Sequence, residues 1–153
     1  MQLAATMFQE SERKEWMGLL ARAPLPMLEA WASRQPRRDL SWLRKPETGL
    51  VMVRARAGGT GAQFNLGEMT VTRCALKVAG RVAGVAYVGG RSTRKAEIAA
   101  LADALLQTEE GAAVRRDLIE PVRARLDAEA ALQRRRAQAT KVEFFTLARE
   151  AGE

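Results

Sequence analysis

Between residues 39 and 90 the chain carries four strand-forming runs with little sequence between them, and that spacing is its strongest constraint. The runs are DLSWLRK from Asp39, which stops at Pro46, GLVMVRAR from Gly49, EMTVTRCALKV from Glu68, and RVAGVAYVGG from Arg81. Each is enriched in residues that suit a pleated surface. A parallel pair needs a long crossover, usually a helix. Here Ala79-Gly80 offers a tight turn and the other links are short or moderate, so an antiparallel meander is predicted. The last run is apolar on both faces and reads as an interior strand.

After Gly89 and Gly90 the hydrophobic period changes from that of a strand to that of a helix. Ile98, Leu101, Ala102, Leu105 and Leu106 recur at helical spacing, which predicts an amphipathic helix over 93–107 packed on the sheet. Residues 6–34 read as two helices, the first opened by a capping-box spacing from Thr6 to Gln9, with Met7, Trp16, Leu19 and Leu20 on apolar faces. Pro24 and Pro26 separate it from MLEAWAS. Beyond Gly111 the segment VRARLDAEAALQRRRAQA is helical, yet its large aliphatic residues are only Val122, Leu126 and Leu132. A helix so weakly apolar is poorly held by its own core and is expected to lie on another chain. Thr140 and Glu143 then open VEFFTLAR, whose Phe144, Phe145 and Leu147 are candidate partner contacts. The expectation is one α+β domain over 1–153: N-terminal helices in 1–35, an antiparallel sheet of about four strands with helices on one side in 39–107, and a helical extension in 112–153.

The 153 residues carry 25 basic and 18 acidic side chains, a net charge of +7, which suits an anionic partner without choosing one. Histidine is absent, which removes imidazole as a general base, triad member or metal ligand. Cys74 is the single cysteine, so no intramolecular disulfide can form and a packing role is expected for it. A metal site would have to be built from carboxylates, and none is expected. The longest uncharged run, residues 57–67, is eleven residues and too short to span a membrane. The amino terminus shows no basic residue followed by an apolar stretch, so no secretory signal is expected and the cytoplasm is the expected compartment.

The loop AGGTGAQFN holds Gly58, Gly59 and Gly61 beside Thr60. It lacks the Lys-Ser or Lys-Thr of a P-loop, and the third glycine and following helix of a dinucleotide fingerprint. Two readings stay open: a wide turn between antiparallel strands, or a backbone surface for an anion or partner. Arg54 and Arg56 leave one face of their strand, with Arg73 nearby in sequence and Glu47 and Glu68 available as internal partners. In GGRSTRKAE, Ser92 or Thr93 can cap a helix whose first turn holds Arg94 and Lys95, with Arg91 just outside. Cations there oppose the helix dipole, so either Glu97, solvent, or a bound anion offsets them. The arginine run at 134–136 reads as a solvated face. Aromatic platforms for nucleic acid are sparse: Tyr87 is the only tyrosine and Phe64 the only aromatic within the loop.

Taken together, ETGLVMVRARAGGTGAQFNLGEMTVTR, GRVAGVAYVGGR and KAEIAALADALLQ resemble the PhnG family of the bacterial carbon-phosphorus lyase system, over about 47–107 with family-like character in VEFFTLAR. The resemblance implies a subunit of a cytoplasmic core complex with PhnH, PhnI and PhnJ, and with PhnK and PhnL as accessory subunits of the ATP-binding-cassette type. It implies a part in a transferase reaction in which methylphosphonate displaces adenine from ATP to give ribose 1-methylphosphonate 5-triphosphate. On that reading the catalytic centre lies in PhnI, the radical cleavage in PhnJ, and this chain holds no cofactor, ATP being a substrate of the complex. Lys95-Ala96-Glu97 stands where the family pattern has histidine-alanine-glutamate, and Ser92 where an aspartate is usual, so a cationic role survives but imidazole chemistry does not. Gly58, Gly59, Thr60 and Gly61 are expected to pack against a partner, PhnI foremost. Arg56, Arg73, Arg91 and Lys95 are candidate contacts for the triphosphate, the phosphonate or a partner. Without its partners the chain is expected to behave poorly or to dimerise. The rival reading is a free-standing basic protein that binds anions or nucleic acid; a small hydrolase lacks a nucleophile-base pair.

Overall fold

A computed structural model of the chain describes residues 2–141, with side chains from residue 10 onward. Helix α1 (Gln2–Arg22) and helix α2 (Leu25–Ala32) precede strands β1 (Leu40–Arg56), β2 (Gln63–Val78) and β3 (Val82–Gly89). Helix α3 (Thr93–Leu106) follows, then α4 (Gly111–Val114), a π-helical segment (Arg115–Ile119) and α5 (Glu120–Ala139). The strands form one antiparallel sheet in the order β1-β2-β3, so the α+β class and the meander stand.

The sheet has three strands because the two runs either side of Pro46 are one strand. Proline cannot donate to a ladder, and here it does not have to. Arg44 pairs with Ala75 and Glu47 with Arg73, which leaves Lys45 and Pro46 in a bulge on an edge strand. Helix α1 starts at Gln2, so Thr6 lies inside it and is not its cap. The turn at Ala79-Gly80 has φ of 48° and 67°, the paired positive values of a primed hairpin turn. Ser92 caps α3, its Oγ accepting from the Lys95 amide at 3.2 Å.

The buried face of the sheet is set by alternation. Thr72, Cys74, Leu76 and Val78 of β2 face inward beside Ala86 and Val88 of β3, under Ile98, Ala102 and Leu105 of α3. Trp16, Leu20, Leu28 and Trp31 from the first two helices complete the same cluster, with Leu118, Ile119 and Val122. Gly84 lets α3 lie directly on β3: a Cβ there would stand 1.9 Å from the Ala100 carbonyl oxygen and 2.7 Å from the Ala104 amide nitrogen.

One charged residue sits at the centre of this packing. Asp103 is fully buried on α3 and accepts from Arg13 Nε at 3.1 Å, Arg13 Nη2 at 2.7 Å, Trp16 Nε1 at 2.8 Å and the Val85 amide at 2.9 Å. Four donors from α1 and β3 meet the need of a desolvated carboxylate. Trp16 in turn carries Arg115 over its ring at 4.9 Å, and Arg115 Nη2 donates to Glu12 at 2.8 Å. That contact falls in the π-helical segment, which ends just before Pro121, a residue with no amide to continue the regular ladder. Beyond Val122 no described residue of α5 is buried, and Leu132 is exposed, as a helix weakly held by its own core should be.

Two outcomes test this packing. Gly84→Ala forces α3 off β3 and should destabilise the chain by about 3 kcal/mol or more in urea titration, an overpacking cost that Ala83→Gly does not share. Asp103→Asn presents donors to donors and should destabilise by about 3 kcal/mol, whereas Asp117→Asn on the exposed π-helical segment should change stability by less than about 0.5 kcal/mol.

Candidate functional site

β1 and β2 run for 17 and 16 residues, but β3 has only 8 and pairs with β2 from Val71 to Val78. Residues 50–56 and 63–70 therefore form a two-stranded ribbon that leaves the body of the protein. Both of its faces are open. Leu50 is 62% exposed, Met52 53%, Leu66 64%, with Val51, Phe64 and Met69 also exposed. An isolated hairpin is marginal in water, and a contiguous exposed apolar patch marks an interaction surface.

The ribbon is closed by the glycine loop, whose first residues, Ala57–Gly59, form a short 3-10 turn. Gly58 and Gly59 have φ of 59° and 82°, in the left-handed region that glycine enters freely. Gly61 is needed for space: a Cβ would meet the Ala57 carbonyl oxygen at 2.6 Å. Its amide donates to that oxygen at 2.8 Å, and Arg56 Nη1 donates to the Gly61 carbonyl at 3.2 Å. The glycines thus shape a turn, and the Gly61 amide is spent inside it.

Arg73 lies elsewhere. It sits on the uncovered face of the sheet, opposite Glu47 and Tyr87 in the neighbouring strands, and its Nε donates to Glu47 Oε1 at 2.7 Å. Glu47 also accepts from Arg44. The guanidinium groups of Arg44 and Arg73 hold the Glu47 carboxyl below its ordinary range. Gln63 faces Arg56 across the ribbon, and ten residues of strand from there to Arg73 span about 33 Å. Arg56 with Gly58, Gly59, Thr60 and Gly61 is accordingly one group at the tip, and Arg73 belongs to another. Arg91 follows Gly90, whose amide donates to the Thr70 carbonyl at 2.9 Å, so it stands near the sheet end of the ribbon.

At the head of α3, Lys95 is partly buried and its pKa is lowered by desolvation. Arg94 Nη1 reaches Glu97 at 3.4 Å, the internal compensation that the sequence offered. Phe144, Phe145 and Leu147 lie outside the described residues. Cys74 is buried, and burial pushes its thiol up to about 11, so it packs as a small apolar group and is no nucleophile at neutral pH. No group of histidine, cysteine, aspartate or glutamate among the described residues could hold a metal ion. No helix among them is long and apolar enough to cross a membrane.

Sequence reasoning did not foresee the ribbon's open apolar faces or the Asp103 centre. The signal for the first was the length mismatch between β3 and its neighbours; for the second, it was a lone carboxylate within the apolar run IAALADALL.

Comparison with known proteins fits this arrangement. The chain is 42% identical over 140 residues to the alpha-D-ribose 1-methylphosphonate 5-triphosphate synthase subunit PhnG of Rhizobium meliloti strain 1021, covering 91% of this chain and 90% of that protein. Residues 11–150 match the family model described as phosphonate metabolism protein PhnG, and the chain belongs to that family.

Proposed function

We propose that this chain is a non-catalytic subunit of a ribose 1-methylphosphonate 5-triphosphate synthase and works by assembly. The ribbon carries the reading: residues 50–56 and 63–70 form paired strands whose apolar side chains are left exposed by the described residues of the chain. The name of the R. meliloti relative supplies the enzyme. In this role the ribbon and its GGTG tip pack on a larger partner subunit, PhnI, with PhnH and PhnJ completing the core. PhnI supplies the catalytic centre at which methylphosphonate displaces adenine from ATP. The complex serves the use of phosphonates as phosphorus, in the cytoplasm.

Charge argues for a partner of different sequence. Two copies joined along the β1 edge would bring together Arg44, Lys45, Arg54 and Arg56 from each, against Glu47 alone. The separation of Arg56 from Arg73 divides the oxyanion role. Arg73 lies on the uncovered face of the sheet, Lys95 at the head of α3 on the other face, and Arg56 meets whatever covers the tip. None of them forms an oxyanion site within this chain, so the partner completes it.

The test is co-expression of the tagged chain with its cognate PhnH, PhnI and PhnJ, followed by size-exclusion chromatography with mass detection. Co-elution as one stoichiometric complex is expected. The double variant Leu50→Glu with Leu66→Glu should keep the helical and strand signals of the free chain while weakening co-elution at least about a hundredfold, as loss of an interface's central apolar contacts does. Separate elution of the unmodified chain while the others assemble would overturn the reading. Salt-dependent binding to DNA or RNA would then make the free-standing anion binder the better one.

A further inference from the structure

The layer of helices that covers β2 and β3 stops short of β1, and a cleft of about 290 Å³ opens where it ends, between the start of β1, the end of α2 and the head of α3. Its apolar side includes Leu40, Trp42 and Ile98. Trp42 pairs with Leu76 across the strands and so projects toward the helices, yet it stays 41% exposed at the edge of the helical layer. Trp16 and Trp31 are both buried, which makes Trp42 the exposed indole of the protein.

Three arginines line the same cleft, Arg37, Arg38 and Arg94. Arg38 gives Nη1 and Nη2 to Glu110 at 2.8 and 2.6 Å, and its Nε is the one buried side-chain polar atom among the described residues with no partner. A buried donor without an acceptor is costly, so it marks a place where an acceptor belongs. Arg94 lies in the first turn of α3, where a cation opposes the helix dipole, and its bond to Glu97 is long at 3.4 Å. Glu110 answers Arg38 and Glu97 answers Arg94, which leaves Arg37 as the cleft's excess cation.

We propose that this cleft binds a small flat ring carrying an oxyanion, the ring lying on Trp42 and the oxyanion between Arg37 and Arg94. Indole faces stack on flat rings, and guanidinium forks hold phosphate and carboxylate oxygens in pairs. A nucleoside monophosphate meets these demands through its phosphate and an aromatic acid through its carboxylate. The site shares no residue with the ribbon, the GGTG loop or Arg73, and it does not depend on the subunit reading.

The measurement is titration of the full-length chain with adenosine monophosphate, with nicotinate, and with adenosine as the ring without an oxyanion, read by tryptophan fluorescence and by calorimetry. Saturable quenching by adenosine monophosphate or nicotinate, with adenosine at least about tenfold weaker, is expected; the tighter of the first two assigns phosphate or carboxylate. Arg37→Ala and Arg94→Ala, both on exposed side chains, should each weaken binding about tenfold, while Arg134→Ala on α5 should leave it unchanged. Trp42→Leu should abolish the quenching and weaken the calorimetric affinity. No saturable binding of either anion, equal binding of adenosine, or equal loss in Arg134→Ala would overturn the proposal.

Discussion

A buried carboxylate is tolerable only when its oxygens are fully engaged, and Asp103 organises this protein by that requirement. Its four donors come from α1 and β3, while it stands on α3, so three elements are fixed at one point. The Val85 amide is a backbone donor, which sets the height of β3 relative to α3; the missing side chain at Gly84 permits the approach that this bond demands. Trp16 is held by its indole nitrogen, so its face is presented outward and receives Arg115. The position of the C-terminal helix therefore follows from a carboxylate in the core, through an indole and a cation over its ring.

The same packing explains what is left uncovered. The 14-residue helix α3 lies mainly over β2 and β3 and only borders β1. The inner face at the start of β1 is left as a cleft, and the outer halves of β1 and β2 are left as a ribbon. Both follow from one architectural choice: the sheet is wider and longer than the layer that covers it. Pro46 and the cations Arg44, Lys45, Arg54 and Arg56 blunt the β1 edge against further strand pairing, while Leu50 and Met52 stay exposed on the ribbon.

Much of this was legible in the sequence because local rules and tertiary packing agree. Period and β-branched content marked the strands from 49 to 89, Ala79-Gly80 was readable as a hairpin turn, and Ser92 as a cap. Pro46 misled for a physical reason: proline ends a central strand, but on an edge it can sit in a bulge where no amide is wanted. Thr6 misled because a capping pattern inside a run of helix formers has no power to start the helix there. The sites were harder to read. Arg37 and Trp42 are five residues apart but Arg94 is more than fifty residues further on, and it lines the same cleft only because the head of α3 reaches the start of β1. Conversely, Arg56 and Arg73 look close in sequence, yet an extended ribbon carries them apart.

The glycine loop resolves along the same lines. A loop that cradles phosphate presents several unengaged amides to one point. In this one the Gly61 amide is already bonded to Ala57, Arg56 reaches back to the Gly61 carbonyl, and Gly58 and Gly59 are explained by their positive φ. What the glycines secure is a narrow end to a ribbon whose sides carry Phe64, Leu66 and Leu50. In the assembly proposed above, such a tip enters a space that a bulkier turn could not, with the exposed apolar side chains behind it as the contact surface. The glycines are accounted for by the turn itself: positive φ at Gly58 and Gly59 and the close Ala57 carbonyl at Gly61.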